Sequence, residues 1–192
     1  ILFQRNKNNL YATPAITKLP SVSIIVPAHN EQDAITGTLN SLSKLRYPRN
    51  KVEILVVDDG STDNTYNTAK KVRNVRVFRK ANGGKASALN FGLKKSKGEI
   101  VACVDSDSHP QSDALLKAVP FFNENSVGAV TTAIYANKPK NLLEILQWLE
   151  YAMIVWSRKP LLPGSLQEIS FLRRRVLEAH RCFRWDPMLI KY

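Results

Sequence analysis

Carboxylates gather at three places in this sequence where the preceding residues are apolar and often β-branched. Glu31 follows Ser23-Ile24-Ile25-Val26-Pro27, Asp58-Asp59 follow Val52-Glu53-Ile54-Leu55-Val56-Val57, and Asp105-Ser106-Asp107 follow Ile100-Val101-Ala102-Cys103-Val104. Acidic side chains are poor strand residues and costly beside a core unless they are paired, hydrogen-bonded or bound to a cation. Three acid-bearing strand ends therefore predict a site. Asp105 and Asp107, one residue apart, suit a hard divalent cation that takes one or two carboxylates and leaves its other positions to water and phosphate oxygens. Asp107 is the leading metal ligand and Asp105 the second, with Mn²⁺ or Mg²⁺ the expected ion. A capped turn is the plain alternative for an Asp-x-Asp in isolation, and the position directly after a buried strand is what favours the metal.

Asp58-Asp59-Gly60-Ser61-Thr62-Asp63 reads as a tight turn at Gly60 with Asp63 capping the next helix. Asp58 is assigned a hydrogen bond from the base or ribose of a nucleotide, as acids at comparable strand ends make. Asn82-Gly83-Gly84-Lys85 opens a helix whose free N–H groups and dipole favour an anion. Gly84 lets backbone approach phosphate, and Lys85 is either a phosphate contact or a solvated helix-start lysine. The spacing is neither that of a Walker P-loop nor Gly-x-Gly-x-x-Gly, which removes support for nucleoside triphosphatases and dinucleotide dehydrogenases.

These residues need elements to position them. Apolar runs at 22–26, 52–57, 75–78, 99–104 and 127–133 predict five strands. Between them, helical spacing appears from Glu31 through Ile35, Leu39, Leu42 and Leu45, again at Tyr66, Ala69 and Val72, over 85–95, and over 112–122. Such alternation predicts an α/β fold, a mostly parallel sheet with helices on both faces. Ligands then bind beyond the carboxyl ends of the strands. Residues 1–20 read as a lead-in, 21–135 as the wound-sheet subdomain that carries the site, and 136–192 as a partial further region. Within the last, residues 141–157 form an amphipathic helix with a narrow polar stripe at Glu144, Gln147 and Glu150. It fits either a membrane interface or the domain's own core.

At 192 residues, with 44% hydrophobic residues, the chain can bury a single-domain core. Its 28 Lys+Arg against 16 Asp+Glu give a formal charge of +12, which attracts phosphates, polyanions or anionic headgroups. Cys103 and Cys182 have no metal-ligand spacing and read as plain thiols of a reducing compartment. No run of eighteen apolar residues occurs.

Ser23-Ile24-Ile25-Val26-Pro27-Ala28-His29-Asn30-Glu31, Val56-Val57-Asp58-Asp59-Gly60-Ser61-Thr62-Asp63, Gly83-Gly84-Lys85-Ala86-Ser87-Ala88-Leu89-Asn90 and Asp105-Ser106-Asp107 resemble, in order, the motifs of family 2 glycosyltransferases, inverting enzymes of the Rossmann-like GT-A fold. The Gly-Lys-x-x-Ala-Leu-Asn form is most similar to processive, membrane-associated members such as poly-N-acetylglucosamine, chitin, hyaluronan and cellulose synthases. The resemblance implies that Pro27, Ala28, Glu31 and Asp58 hold uridine, that Gly84, Lys85 and Asn90 line the diphosphate side, that Asp105 and Ser106 lie against the ribose or metal, and that Asp107 ligates the metal. It also implies a UDP-sugar donor, with UDP-GlcNAc one candidate, a glycan or lipid-linked acceptor, and work at the cytoplasmic face of a membrane.

The departure is in the base. The family supplies it from a Glu-Asp motif after a segment resembling Pro163-Gly164-Ser165 through Phe171-Leu172-Arg173-Arg174-Arg175-Val176-Leu177, and residues 178–192 contain no Glu-Asp pair and no Gln-x-x-Arg-Trp. Asp186 is a minor candidate base; His29 and His180 are weaker. The sequence thus leaves two readings of one site, a transferase and a nucleotide-sugar-binding module without turnover. A third, a basic nucleic-acid-binding protein, has no helix-turn-helix, zinc or RNP pattern behind it.

Overall fold

The computed structural model describes residues 14–131, 145–146 and 170–179. Strand β1 is Val22–Ala28, followed by helix α1 (Ile35–Ser43), a 3-10 turn (Arg49–Lys51), β2 (Val52–Asp59), α2 (Thr65–Lys70), β3 (Val75–Lys80), α3 (Lys85–Lys95), β4 (Ile100–Cys103), α4 (Ala114–Ala118), a second 3-10 turn (Val119–Asn123) and β5 (Ala129–Thr131). Strand β6 (Ser170–Arg173) and helix α5 (Arg174–Ala179) complete the described elements. The six strands form one sheet in the order β3-β2-β1-β4-β6-β5. β1 pairs in parallel with β2 and β4, β2 pairs in parallel with β3, and β6 runs antiparallel to both β4 and β5.

Strand alternation divides the core in two. Ile24, Val26, Ile54, Val56, Ile100 and Ala102 point to the face covered by Ile35, Leu39 and Leu42 of α1, Ala69 of α2 and Leu115 of α4. Ile25, Val57 and Val101 point to the other, where Ala88, Leu89 and Leu93 of α3 and Leu177 of α5 cover them. Neighbouring residues on β1 and β2 thus pack under different helices, which is why both strands read as unbroken apolar runs. Gly92 lets α3 approach closely, since a Cβ there would stand 2.5 Å from Ile25 Cγ2. Each fully buried Ile, Leu or Val in these layers contributes about 1.5–3 kcal/mol.

The α/β expectation holds, with one helix shortened and a sixth strand, β6, added. The fourth expected helix is shorter than 112–122, because Pro120 sits in the first turn of a 3-10 segment beginning at Val119. The fifth strand, Ala129–Thr131 in its described part, does not neighbour β4; β6 lies between them. Ser-Phe-Leu-Arg is too short to show a period, and only Phe171 of its four residues is fully buried, so the sequence carries no strand signal there.

The consequence for function lies at β1. The strands on either side of it, β2 and β4, are reached by connections that leave in opposite directions, so a crevice opens beyond the carboxyl ends of β1 and β4.

Candidate donor-binding site

The loop after β1 is sewn to the loop after β2. Asn30 sits at φ 56°, a left-handed conformation that Asn tolerates better than most residues. Its backbone N–H donates to Ser61 Oγ at 3.0 Å, and its Oδ1 accepts from Thr62 N at 2.9 Å. Thr65 Oγ1 accepts from Glu31 N at 2.7 Å, Asp63 Oδ2 from Gln32 N at 3.2 Å, and Gln32 Oε1 from Asn64 N at 3.0 Å. Asp63 also takes up the N–H of Thr65, the first residue of α2, at 2.9 Å. These reciprocal bonds fix Glu31 on the rim.

Asp58 and Asp59 occupy different environments. Asp58 shares the face of Ile54 and Val56, is fully buried, and accepts from Ser61 N at 3.1 Å. Its Oδ2 lies 3.1 Å from Arg79 Nε in an ion pair that lacks the alignment of a hydrogen bond. Arg79 itself donates to Ser61 O at 2.7 Å and lies 5.6 Å from the Tyr66 ring centre. Asp58 is therefore not among the residues lining the crevice, contrary to the base or ribose contact expected of it. The reason is strand parity: the side chain turns toward α2, away from α3. Asp59 turns the other way, accepts from Lys80 Nζ and from Gly83 N, and lines the crevice. Burial pushes its carboxyl up, but the Lys80 and Gly83 hydrogen bonds, with the Lys80 charge, hold it below the ordinary aspartate range.

The crevice has a volume of about 350 Å³ and is lined by Pro27, Ala28, His29, Glu31, Asp59, Asn82, Gly84, Lys85, Ala88, Asp105, Ser106 and Asp107. It brings together Pro27, Ala28, Glu31, Gly84, Lys85, Asp105, Ser106 and Asp107 from the sequence expectation. Asn90 is half-buried on α3 and does not line it. His29, Asp59, Asn82 and Ala88 were not expected as lining. The signal for His29 and Asn82 was their place beside the strand-end motifs, where only the loop path decides which side chains face inward. His29 Nδ1 donates to Asp59 O at 3.0 Å, since a carbonyl oxygen can only accept.

Two more contacts shape the floor. Thr38 Oγ1 donates to Ser106 O at 2.7 Å from within the core, and Val104 N donates to Ile25 O at 3.0 Å, so the turn after β4 is anchored to α1 and β1. Gly84, at φ 81°, starts α3 with no atom within 4 Å of where a Cβ would stand. Gly84 thus borders the crevice, while the Asp59 carboxylate accepts from the preceding amide of Gly83. Lys85 Nζ lies 2.6 Å from Asp105 Oδ1, with the lysine side chain 46% exposed.

Asp107 is exposed at the mouth. Glu31's carboxyl is pushed above its ordinary value by burial and then by the negative charges of Asp107, Asp63 and Asp105. That unneutralised charge is what a divalent cation would relieve, and carboxylates on a water-accessible rim are hard-cation donors. Among the described residues no three His, Cys, Asp or Glu side chains are grouped to enclose an ion by themselves. An open site of this kind leaves positions for phosphate oxygens and water.

Asp186 and His180 lie outside the described residues, as does the amphipathic stretch 141–157 apart from Ile145 and Leu146, which are helical and exposed. Among the described residues no helix is long and apolar enough to cross a membrane.

The profile of Glycosyl transferase family 2 matches residues 23–181. The chain is 35% identical to the β-monoglucosyldiacylglycerol synthase of Nostoc sp. over 90% of its own length and 39% of that protein. It is 32% identical to the poly-β-1,6-N-acetyl-D-glucosamine synthase of Staphylococcus epidermidis over 80% of its length and 38% of that one. The chain thus spans well under half of these relatives. Among solved structures, the mannosyltransferase PcManGT of Pyrobaculum calidifontis, in complex with GDP-Man and Mn²⁺, superposes with a TM-score of 0.71 at 29% identity, covering 96% of this chain and 55% of that one. TarS of S. aureus, in complex with UDP-GlcNAc, gives 0.61 at 28% identity over 84% of this chain and 47% of that one. With four motifs in order on one rim and a profile match across most of its length, the chain belongs to glycosyltransferase family 2.

Proposed function

We propose that this chain holds a UDP-sugar and a divalent cation in the crevice and that the whole protein transfers the sugar, with inversion, to a glycan or lipid-linked acceptor at the cytoplasmic face of a membrane. The observation that carries the reading is the convergence of Asp59, Lys85, Asp105 and Asp107 around one opening at the switch point of the sheet. Asp59, a carboxylate kept ionised, accepts an N–H from the base, while Pro27, Ala28 and His29 flank it. Gly84 and the first turn of α3 face the diphosphate with Lys85 beside them. Asp105 and Ser106 lie toward the ribose, and Asp105 and Asp107 would hold Mn²⁺ or Mg²⁺. Such an ion, when bound, offsets the negative charge that grows on departing UDP.

UDP-GlcNAc is favoured as donor because a GlcNAc polymer synthase is among the relatives and UDP-GlcNAc is bound in a structural neighbour. Donor binding without turnover is a second reading, favoured by one observation. Among the described residues, the carboxylates lining the crevice, Glu31, Asp59, Asp105 and Asp107, all stand on the rim assigned to nucleotide and cation, and none of these is assigned as the acceptor's base.

Thermal unfolding with UDP and GDP, each with and without Mn²⁺, tests the donor site. UDP with Mn²⁺ raises Tm, and Asp107→Ala abolishes the rise. A folded wild-type chain indifferent to UDP and Mn²⁺ together would sink the proposal. Release of UDP from UDP-GlcNAc or UDP-glucose then separates transferase from binding module.

A further inference from the structure

Lys85 and Asp105 line the same crevice, and the Lys85 ammonium lies against Asp105, a carboxylate assigned to the ribose and cation. Asp107, two residues on, makes no ion pair among the described residues. We propose that Lys85 is an internal counter-ion of Asp105, displaced when a nucleotide diphosphate arrives, so that the divalent cation binds this site tightly only together with the nucleotide. The inference rests on the donor-site reading above and concerns how that site is loaded.

The geometry makes the exchange simple. Lys85 is the first residue of α3 and is anchored by its backbone; Ala88 N bonds to Gly84 O at 3.1 Å, so the turn is already formed. Its four-carbon stem can swing the ammonium from Asp105 toward the helix end without moving that backbone. Asp105 sits at the close of β4, its turn fixed by Ser108 N bonding to Asp105 O at 3.1 Å. Before nucleotide binds, a divalent cation meets a positive charge beside one of its two carboxylates, and Asp107 alone is open to it. Once phosphate oxygens draw Lys85 away, both carboxylates are released where the phosphates supply further oxygen ligands. The linkage is reciprocal, so the cation tightens UDP by the same factor as UDP tightens the cation.

The test is a titration of the 192-residue chain with Mn²⁺, read by the loss of the free-ion paramagnetic resonance signal, with and without UDP. Wild type, Lys85→Gln, Lys85→Arg and Lys94→Gln are compared; Lys94 lies at the far end of α3 and controls for net charge. In wild type, UDP tightens Mn²⁺ about tenfold, within the usual range of such couplings. Lys85→Gln binds Mn²⁺ alone about threefold or more tighter than wild type and loses a matching part of the UDP effect. Lys85→Arg, which keeps the charge, and Lys94→Gln both behave as wild type toward Mn²⁺ alone. A Lys85→Gln chain that binds UDP but shows unchanged or weaker affinity for Mn²⁺ alone would overturn this inference and leave the donor site standing. Wild-type chain that fails to bind UDP with Mn²⁺ would overturn both.

Discussion

Asp58 and Asp59 are consecutive on β2 yet lie on opposite faces of the sheet, each paired with its register partner on β3: Asp58 with Arg79 and Asp59 with Lys80. One pair faces α2 and shapes the turn at Ser61. The other faces the crevice, where Gly83 joins it. The two acids therefore divide structural and ligand-facing work, and substitutions at them should separate.

Asp58→Ala is expected to destabilise the fold by about 2–3 kcal/mol, because it strands Arg79 and frees the Ser61 N–H; the estimate is discounted from the buried-pair range for Arg79's exposure. Asp59→Asn strands the more buried Lys80, so a comparable loss of stability is expected, and it should abolish UDP binding. Urea unfolding and UDP titration of both variants check this, and equal loss of UDP affinity from equally folded proteins would contradict it.

The same residue sets a pH dependence. Asp59 is held below its ordinary value of 3.8 in the fold, so between the two values the unfolded chain binds more protons. Its contribution is present above the unfolded value and is lost as pH falls through the folded one. Glu31, raised above 4.5, has the opposite sign: its contribution is present below 4.5 and lost as pH rises through its folded value. Stability measured from pH 3 to 7 should show a shallower acid limb in Asp59→Asn, and Glu31→Gln should gain stability relative to wild type toward neutral pH.

Gly84, which caps α3, and Gly92 within it should fail in different ways. Gly84→Ala places a side chain at φ 81° and ψ 166°, backbone angles essentially confined to glycine, so strain of about 1–3 kcal/mol and weaker UDP binding are expected. Gly92→Ala drives a methyl into Ile25 Cγ2 and costs about 1–3 kcal/mol by overpacking, with UDP affinity of the folded protein retained. Thermal melts paired with UDP titrations distinguish the two.

Asp107→Asn should leave stability within about 0.5 kcal/mol of wild type, since the side chain is exposed, and remove the Mn²⁺-dependent part of the UDP effect. Calorimetry with and without Mn²⁺ is the measurement.

Much of this was legible in the chain itself. The apolar runs before Pro27, Asp58 and Asp105, the helical spacing of Ile35, Leu39 and Leu42, and the paired glycines before Lys85 announce strand, turn and helix because each is a local preference expressed over a few residues. Those signals determined the wound sheet and which loops would meet at its rim. Pro27, Ala28, Glu31, Gly84, Lys85, Asp105, Ser106 and Asp107 line one crevice because they sit at strand ends or a helix start, positions that local sequence marks.

The rest required the third dimension. Which of Asp58 and Asp59 faces the crevice depends on a one-residue parity, and in a strand buried on both faces the residue types do not reveal it. The insertion of Ser170–Arg173 between β4 and β5 depends on pairing with Ile100–Cys103, some seventy residues away in the chain. The pairing of Lys85 with Asp105 joins two motifs twenty residues apart and alters the meaning of both. Local sequence fixes backbone preference over one or two turns, whereas partners across a sheet are chosen by packing and charge among residues that meet only after the chain has folded.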